Sequence, residues 1–568
     1  MCESSSSRLL IIALDGATWD LLDGWIAEGR LPNLARLVAG GISAPLESTI
    51  PPITPVAWLT FATSRNPACH GIFDFFRPIR QRYTDLIPAT TDSNQHSTLW
   101  GILSQRKRHV GVVNVPMTFP PEPVNGFLIP GVPTPACTDP AYPPGLLDEL
   151  RQHGWDLTRD AALAQGSFDE MLRYLQDLVR TRTEATCHLL THQSWDFFMV
   201  HFLETDQVQH TFWRFLEKAD NPFRDAILRL YQEVDRGIGQ ILDAAGSVPV
   251  VLMSDHGMGP THYHVNLNNW LVQEEFMQWR RRPATALRRL GYRLGLNPTT
   301  LYNLLPQELM HRLTLGDLRT GVAQIPTEHV GHRSSLTQRL VRRLSRGLFL
   351  TFNDVDWSRT VAYSTGTTEA GLIYLNVSGR EPAGTVAWGK EYQRVREQLA
   401  ERLMNFADPW THRPLVKRVY RREELYHGPH ITDAPDLIVI YRYGEYDHKK
   451  GTVFLSTHPV EPVRDANATH RLHGIFALHA PGVARSGERL EPVHIQDIAP
   501  TVLHLMGEAV PRELEGQVWE AGLTDAYRVA HPVQISDEPL IGPTAGKGLS
   551  SSELETVLER LHGLGYIA

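Results

Sequence analysis

Cysteine is scarce in this chain: its 568 residues contain only Cys2, Cys69, Cys137 and Cys187. None of these belongs to a CxxC pair, which argues against a thiolate metal site. A disulfide framework is equally unexpected, so we predict a protein of a reducing, cytoplasmic compartment. We recognise no signal peptide and no apolar run near the roughly 18 residues that a membrane span needs, so we expect no membrane span.

Excess positive charge is absent as well. The formal net charge is −8 at pH 7, which argues against a protein that binds nucleic acid over a broad surface. The content of hydrophobic residues, 42%, and of charged residues, 21%, is that of an ordinary globular protein. The chain is long enough to bury at least one large core.

Short runs of aliphatic and β-branched residues alternate with longer stretches of helical pattern, such as Phe168–His192 and Asp220–Ala245. The runs that we interpret as buried strands are Leu9–Leu14, His109–Val115, Trp195–Leu203, Val248–Met253, Asp436–Tyr441 and Gly474–Ala480. Buried strands that alternate with helices predict an α/β fold with a mostly parallel central sheet flanked by helices. Sites in such sheets form beyond the carboxyl ends of the strands.

Residues 278–347 differ from the rest because they are rich in arginine and lack strand runs. Their stretch LTQRLVRRLSRGL places four apolar side chains on one helical face, namely Leu336, Leu340, Val341 and Leu344. We favour a helical insertion or cap with a solvated basic face over a packed apolar stripe. Alternatives are an anion-steering lid and a membrane-surface contact, but on the favoured interpretation we expect no strong association with lipid vesicles.

The insertion divides the chain into four predicted parts. Residues 1–277 and 348–525 form the two portions of a catalytic α/β core, on either side of the insertion 278–347. Residues 526–568 form a tail. It contains a predicted docking helix, because Ser552 and Glu555 make a capping box and an apolar stripe ends at Gly563.

Acidic and imidazole side chains lie where several of the predicted strands begin or end. They are Asp15, Asp206, His210, Asp255, His256 and His470. Asp206 and His210 are four residues apart, which places both on one face of a helix. Each residue alone fits a turn, a surface pair or a core histidine. Because a parallel sheet brings strand ends to one edge, we expect these residues to converge.

Thr54 precedes Pro55 and an apolar helical pattern, which is typical of a helix N-cap. As a cap alone the threonine would contribute about 1 kcal/mol. The functional alternative uses the same geometry: a hydroxyl at a helix N-terminus lies in a positive field, and a nearby cation would deprotonate it.

Together the candidate ligands divide into two metal sites. Oxygen and nitrogen ligands without cysteine suit two divalent cations, for which we expect zinc, with manganese as the alternative. Two such ions about 4 Å apart hold the attacking and leaving oxygens of a phosphoryl group in line. The sequence therefore predicts a phosphoryl-transfer or hydrolysis site.

The motifs resemble those of the alkaline phosphatase superfamily, and within it the bacterial branch of the type I phosphodiesterase/nucleotide pyrophosphatase family. The matching blocks are the strand-Asp-Gly opening, TPVAW…NPACHGIFDF, TDQVQH, SDHGMGP, THRLHGIFALHAPGV and IQDIAPTVLHLMG. The resemblance covers most of residues 9–519. It implies an alkaline-phosphatase-like fold.

The resemblance also implies roles for single residues. Thr54 would be the nucleophile, and a phosphothreonine would form and then be hydrolysed. One metal would be surrounded by Asp15, Thr54, Asp255 and His256. The other would be held by Asp206, His210 and His470.

Two departures from related families bear on the substrate. Eukaryotic-type nucleotide pyrophosphatases carry an asparagine three positions after the nucleophile, where this chain has Ala57, which weakens the case for a nucleotide. The C/S-x-P-x-R motif of sulfatases is absent at Thr54, which argues against sulfate esters. Asn114 and His262 are weak candidates for substrate contact, and a structural role suits each better.

We expect a phosphodiesterase that acts on a small phosphate ester. The alternatives are a phosphomonoesterase or a phosphomutase of the same superfamily, or a catalytically inert protein that binds a phosphate ligand.

Overall fold

Strands and helices alternate along most of the chain. The computed structural model describes residues 8–78, 83, 86–90, 94–135, 140–159, 167–297, 300, 349–365, 370–442, 446–448, 454, 456–542 and 549–563. The strands of this part are β1 (Leu9–Leu14), β2 (Ile42–Glu47), β3 (Phe76–Pro78), β4 (Leu86–Pro88), β5 (Val110–Val113), β6 (Gly126–Ile129), β7 (Phe197–Phe202), β8 (Val250–Met253), β9 (Gly257–Val265), β10 (Ala362–Ser364), β11 (Gly371–Leu375), β12 (Val416–Arg421), β13 (Leu437–Tyr441), β14 (Tyr446–His448), β15 (Val460–Arg471), β16 (His473–His479), β17 (Glu488–Arg489), β18 (Val493–His494), β19 (Val510–Pro511) and β20 (Ile535–Ser536).

Helices connect and cover these strands. Those in the described residues are α1 (Trp19–Ala27), α2 (Pro32–Gly40), α3 (Thr54–Thr63), α4 (Pro67–His70), α5 (Leu99–Gln105), α6 (Leu146–Gln152), α7 (Phe168–His192), α8 (Glu204–Leu216), α9 (Ala226–Ala245), α10 (Leu267–Gln273), α11 (Pro283–Arg293), α12 (Lys390–Met404), α13 (Arg422–Leu425), α14 (Ile498–Leu505), α15 (Asp525–Ala530) and α16 (Ser551–Gly563). Among the residues that the structure describes, no helix has both the length and the apolarity to cross a membrane.

The largest sheet confirms the predicted architecture. Its strand order is β17-β2-β16-β8-β1-β7-β5-β6, with β18 also paired to β2. The pairings are parallel except for those that β16 makes with β2 and β8. The fold is therefore α/β with a mostly parallel central sheet.

Both faces of the central sheet are buried, which explains why β1 is apolar at every position. Leu10, Ile12 and Leu14 point into a core that includes residues of α7 and α9. Leu9, Ile11 and Ala13 point into a second core that includes residues of α3, α5 and α14. A strand between two cores cannot alternate apolar and polar residues, because each of its side chains leaves water.

One predicted strand, Asp436–Tyr441, lies outside the central sheet. As β13 it belongs to a separate antiparallel sheet of order β10-β11-β13-β12. Its apolar residues pack with α12 in a third core. An apolar run of this length predicts a buried strand but not its partners, because β13 is buried at every position just as β1 of the central sheet is.

A long antiparallel ribbon joins the two portions of the chain. Strand β15 pairs with β9, with His470 opposite Met258 and Arg471 opposite Gly257. Since β9 begins directly after His256, this register brings His470 to the end of β8. The ribbon is the element through which the second portion of the chain supplies a residue to the sheet edge.

The predicted insertion is described only in part. Residues 278–297 and 300 include α11, and the predicted apolar stripe from Leu336 to Leu344 lies outside the described residues. In the tail, Val557, Leu558 and Leu561 of α16 are buried in the first core.

A buried ion-pair network stabilises the second sheet. Asp436, at the start of β13, accepts hydrogen bonds from Arg380 at 2.6 and 2.9 Å and from the Tyr392 hydroxyl at 2.6 Å. Arg422 adds a contact at 3.2 Å. Burial alone would raise the pKa of Asp436, but the hydrogen bonds and charges of these arginines hold it below its usual value. The carboxylate of Asp436 is thus ionised, and the arginines compensate its charge.

We expect Asp436→Asn to lower the free energy of unfolding at pH 7 by about 3 kcal/mol, because Arg380 and Arg422 lose the buried anion that they share. Among the described residues they keep only Glu381 and Glu423 as carboxylate partners. Because the pKa of Asp436 is lower in the folded protein than its unperturbed value of 3.8, the stability that it contributes is present above that value. The difference in free energy of unfolding between variant and wild type should therefore be constant from about pH 7 to about pH 5 and should become smaller below about pH 5. Urea unfolding at each pH measures it. A difference that does not depend on pH would contradict the ionic explanation.

Candidate metal centre

The carboxyl ends of three neighbouring strands bring the predicted acidic residues together. Strands β7, β1 and β8 lie side by side and run parallel. Asp15 follows β1, Asp255 follows β8, and Asp206 lies in the first turn of α8, which begins just after β7. All three carboxylates are fully buried. The three carboxylates therefore lie together at one edge of the sheet, as the sequence analysis expected.

The first group of side chains surrounds His256. Its Nε2 lies 3.2 Å from Asp255 Oδ2 and 3.6 Å from Asp15 Oδ1. Thr54 Oγ1 lies 3.3 Å from the same nitrogen. One ligand atom from each of Asp15, Asp255 and His256 lies within 4.8 Å of the others, close enough to share one cation.

The second group contains Asp206, His210 and His470. Asp206 Oδ1 lies 3.3 Å from His210 Nε2 and 3.5 Å from His470 Nε2. The two imidazole nitrogens are 3.1 Å apart. His256 stacks on His470 with ring centroids 3.6 Å apart, and it also lies within 4.8 Å of Asp206 and His470. His256 is therefore shared by both groups, whereas the sequence assigned it to one.

Backbone carbonyls fix the orientation of all three histidines. Nδ1 lies 3.0 Å from Gly257 O in His256, 3.0 Å from Pro52 O in His470 and 3.1 Å from Ala468 O in His210. A carbonyl only accepts hydrogen bonds, so each Nδ1 carries the proton. The Nε2 lone pairs are then left for the centre of the site, which is how proteins orient histidines toward a metal.

The carboxylates show the electrostatic cost of the cluster. Burial, and then the charge of Asp206, raise the pKa of Asp15 well above its ordinary value. Burial, and then the charge of Asp15, do the same for Asp255. Burial also acts on Asp206, but the charges and hydrogen bonds of His210 and His470 outweigh it and hold the pKa of Asp206 well below its ordinary value. Such a cluster needs positive charge to remain ionised.

In both Asp15 and Asp255, one carboxylate oxygen has hydrogen-bond partners in the protein and the other has none among the described residues. Asp15 Oδ2 accepts from Trp58 Nε1 at 3.0 Å and lies 2.7 Å from His201 Nε2. Asp255 Oδ1 accepts from the Gly16 backbone N–H at 3.2 Å. Among the described residues no donor is directed at Asp15 Oδ1 or Asp255 Oδ2, although both atoms are buried. These oxygens fit ligands of divalent cations, so the donor set agrees with a metal centre.

Thr54 is the first helical residue of α3 rather than its N-cap. The carbonyl of Ile53 accepts from the backbone N–H groups of Val56 and Ala57 at 3.1 and 2.9 Å, so Ile53 is the N-cap residue. The prediction that Thr54 caps the helix was wrong by one residue. Its hydroxyl makes no capping hydrogen bond and is instead beside His256, at the positive end of the helix.

His201 and Trp58 are site residues that sequence reasoning missed. His201 lies within β7 and is buried, with its ring packed edge-to-face on Trp58 at 5.0 Å. The available signal was a histidine inside the otherwise apolar run FFMVHF. A buried polar side chain in such a strand requires a partner, and only the fold shows that the partner is Asp15.

The two weak candidates for substrate contact lie elsewhere. The Asn114 amide donates to Pro130 O at 3.2 Å and to Leu157 O at 3.0 Å, and its oxygen accepts from Arg182 at 3.0 Å. His262 is exposed on β9 and belongs to neither group of clustered ligands.

A hydroxyl beside clustered carboxylates and imidazoles is the arrangement of a hydrolase that acts on phosphoric ester bonds. A model of the type I phosphodiesterase/nucleotide pyrophosphatase family matches residues 9–474, and the chain belongs to that family. The family is a class of two-metal enzymes, and the two ligand groups described above are candidates for its metals.

Solved structures with a similar fold include two enzymes. Murine ectonucleotide pyrophosphatase/phosphodiesterase 5, in an inactive form with AMP, is 12% identical, with 91% of this chain and 100% of that chain covered and a TM-score of 0.45. Phosphonoacetate hydrolase from Sinorhizobium meliloti 1021, with phosphonoformate, is 15% identical, with 83% and 89% covered and a TM-score of 0.45. A search of curated proteins gives no match.

We expect Asp255→Asn to stabilise the chelator-treated protein by about 1 kcal/mol, because the amide removes one of the clustered charges and donates to His256 Nε2. The same variant should lose most of the rise in Tm that zinc or manganese produces, which is worth about 2.7 kcal/mol at a hundredfold excess over Kd. Differential scanning calorimetry with and without metal measures both effects.

The matched control is Asp235→Asn. Asp235 is a buried aspartate that accepts from the Leu34 backbone N–H at 2.8 Å and lies outside both groups. That variant should be less stable than wild type and should keep the full metal-induced rise. An Asp255→Asn protein with an unchanged metal response would contradict the assignment of Asp255 as a ligand.

Proposed function

We propose that this chain is a two-metal phosphodiesterase that cleaves a small phosphate ester through a phosphothreonine at Thr54. The observation that carries the proposal is the position of the Thr54 hydroxyl, 3.3 Å from His256 Nε2, the atom that both ligand groups share. Asp15, Thr54, Asp255 and His256 would hold one cation, and Asp206, His210 and His470 the other.

The ligand set favours zinc, with manganese as the alternative, because it consists of imidazole nitrogens and carboxylate oxygens without thiolate. Cys69 and Cys187 are free thiols, which supports a reducing, cytoplasmic location as part of the proposal.

The reaction consists of two displacements at phosphorus. When bound, two cations would supply positive charge that offsets the charge on the phosphoryl oxygens and favours ionisation of the Thr54 hydroxyl. Thr54 Oγ1 loses its proton to solvent and forms a bond to phosphorus, while the bond from phosphorus to the leaving alcohol breaks and that oxygen takes a proton from water. Water then attacks phosphorus, the bond to Thr54 Oγ1 breaks, and a phosphate monoester and the free hydroxyl result.

The protein positions these steps through α3 and the histidines. Thr54 is held at the start of α3, where the dipole of the helix stabilises negative charge on its oxygen. The carbonyls behind His256, His470 and His210 accept from Nδ1, so each ring faces the centre of the site with Nε2 and would act as a ligand through that nitrogen.

Ala57 influences the choice of substrate. It stands one turn into α3, three residues after Thr54, and its buried methyl group offers no hydrogen-bond donor. We therefore propose a substrate other than a nucleotide, and a diester in preference to a monoester. A phosphomonoesterase remains the second candidate, which the assay below distinguishes.

We expect Thr54→Ala to lower kcat on bis-p-nitrophenyl phosphate by a factor on the order of 10³ or more, because the nucleophile is removed. Thr54→Ser keeps a hydroxyl and should retain measurable turnover. The matched control is Thr63→Ala, since Thr63 is a buried threonine of the same helix whose hydroxyl donates to Leu59 O at 2.7 Å. It should leave kcat within a few-fold of wild type.

Further measurements discriminate among the candidate functions. Acid quenching during turnover should trap a phosphorylated peptide that contains Thr54, detected by mass spectrometry. Faster turnover of p-nitrophenyl phosphate than of the diester would favour the monoesterase. Tight metal binding without turnover of either substrate would favour an inert phosphate-binding protein, and undiminished activity of Thr54→Ala would end the proposal.

We also expect His201→Gln to weaken metal affinity by a factor of about 10 to 100, because His201 Nε2 holds Asp15 Oδ2 and so directs Oδ1 to the cation. Competition with a chromophoric chelator measures this without substrate. His479→Gln is the control, since His479 is also in a strand of the central sheet but lies outside both groups. Equal affinities of the two variants would show that His201 is not a positioning residue.

A further inference from the structure

Helix α11 presents its leucines to solvent. Leu287, Leu290 and Leu294 are 71%, 55% and 79% exposed, and Leu296 just beyond the helix is 41% exposed. Leu287 and Leu290 lie in α11 and Leu294 is its C-cap residue, and their spacing of three and four residues places them on one face. A surface helix of a globular protein ordinarily turns such a stripe toward its core.

The opposite face of α11 is fixed to the protein by polar contacts. The Thr285 hydroxyl donates to Asp354 Oδ1 at 2.8 Å, and Arg288 Nε donates to the two oxygens of that carboxylate at 3.1 and 3.2 Å. The Tyr292 hydroxyl donates to Asn269 Oδ1 at 3.2 Å. Thr285 and Asp354 are buried, so these contacts determine which way the helix faces. The outward leucines are a consequence of this anchoring and not of a loosely attached helix.

Arginines flank the leucine stripe, and in the part of the chain that the structure describes several of them have no carboxylate partner. In the described part of the chain, no ion pair forms at Arg281, Arg282, Arg289 or Arg293, whereas Arg288 pairs with Asp354. Arg281, Arg282 and Arg293 are exposed. Burial, and then the neighbouring charge of Arg293, lower the pKa of Arg289, which shows that like charges are crowded here. The surface therefore combines apolar side chains with uncompensated positive charge.

The sign of this charge selects among the candidate occupants. The undescribed segment 301–348 carries seven arginines and three acidic residues, so its charge has the same sign as that of the helix. A second copy docked through the same face would bring the same arginines into opposition. An anionic phospholipid surface complements both features, since leucines enter the acyl boundary while arginines remain at the phosphates.

We propose that α11 docks the protein on an anionic phospholipid membrane surface, through Leu287, Leu290 and Leu294 and the arginines beside them. The net charge of −8 makes this attachment directional, because the rest of the protein is repelled by the same surface. The expectation of weak vesicle association rested on the stripe from Leu336 to Leu344, which lies outside the described residues, whereas the stripe of α11 is a separate one and is exposed.

Flotation of the full-length protein with vesicles tests the proposal. Vesicles of phosphatidylcholine mixed with phosphatidylglycerol should carry the protein at low salt, and phosphatidylcholine alone should not. The combined variant Leu287→Ser, Leu290→Ser, Leu294→Ser should reduce the bound fraction at least about tenfold. The combined variant Arg282→Gln, Arg289→Gln, Arg293→Gln should reduce it by a similar factor and remove its dependence on salt.

Matched controls distinguish binding through this face from nonspecific hydrophobic adsorption. Val529→Ser and Ile541→Ser remove apolar side chains that are 84% and 73% exposed on other parts of the surface, and both should bind vesicles as wild type does. Circular dichroism and turnover of bis-p-nitrophenyl phosphate should be unchanged in every variant. Equal flotation of wild type and the leucine variant, or leucine-dependent self-association in sedimentation without vesicle binding, would overturn the proposal.

Discussion

Three buried carboxylates placed at adjacent strand ends are the constraint on which the rest of this structure depends. Because β7, β1 and β8 pair in parallel, the buried residues Asp15, Asp206 and Asp255 lie close together at one edge of the sheet. Their mutual repulsion, together with burial, is costly for a folded protein without positive charge at that point. A cation at that point would supply this charge, and the orientation of the histidines agrees with a metal centre.

Another buried carboxylate, that of Asp436, shows how a carboxylate that stabilises the fold differs from a candidate metal ligand. Asp436 has two arginines, a tyrosine hydroxyl and a backbone N–H directed at it, and its pKa is lowered. Asp15 and Asp255 each keep one oxygen without a donor in the described part of the protein, and their pKa values are raised. A carboxylate that the protein neutralises itself stabilises the fold, whereas one left incomplete indicates a ligand that the protein must bind. A similar contrast holds for α11, whose polar face is bonded to Asp354 while its apolar face is exposed.

Sequence reasoning succeeded where one physical cause dominates a local pattern. The apolar run at Leu9–Leu14 became β1 without change, and Phe168–His192 became α7, because burial on two faces and a long amphipathic period each leave a strong signal. It failed where tertiary contacts decide between local alternatives. Thr54 lost the capping role because the Ile53 carbonyl begins α3, and Asp436–Tyr441 joined a separate sheet because an apolar run does not specify its neighbours.

The sequence by itself determined the α/β class, the order of the candidate ligands and their placement at strand ends, because these follow from local periodicity and from the geometry of parallel sheets. The tertiary structure alone decided that His256 belongs to both ligand groups, since the register of β9 against β15 brings His470 onto its ring. It also decided that His201 and Trp58 hold Asp15, and that the leucines of α11 face outward. Those features depend on contacts between residues far apart in the chain, and no local pattern encodes such contacts.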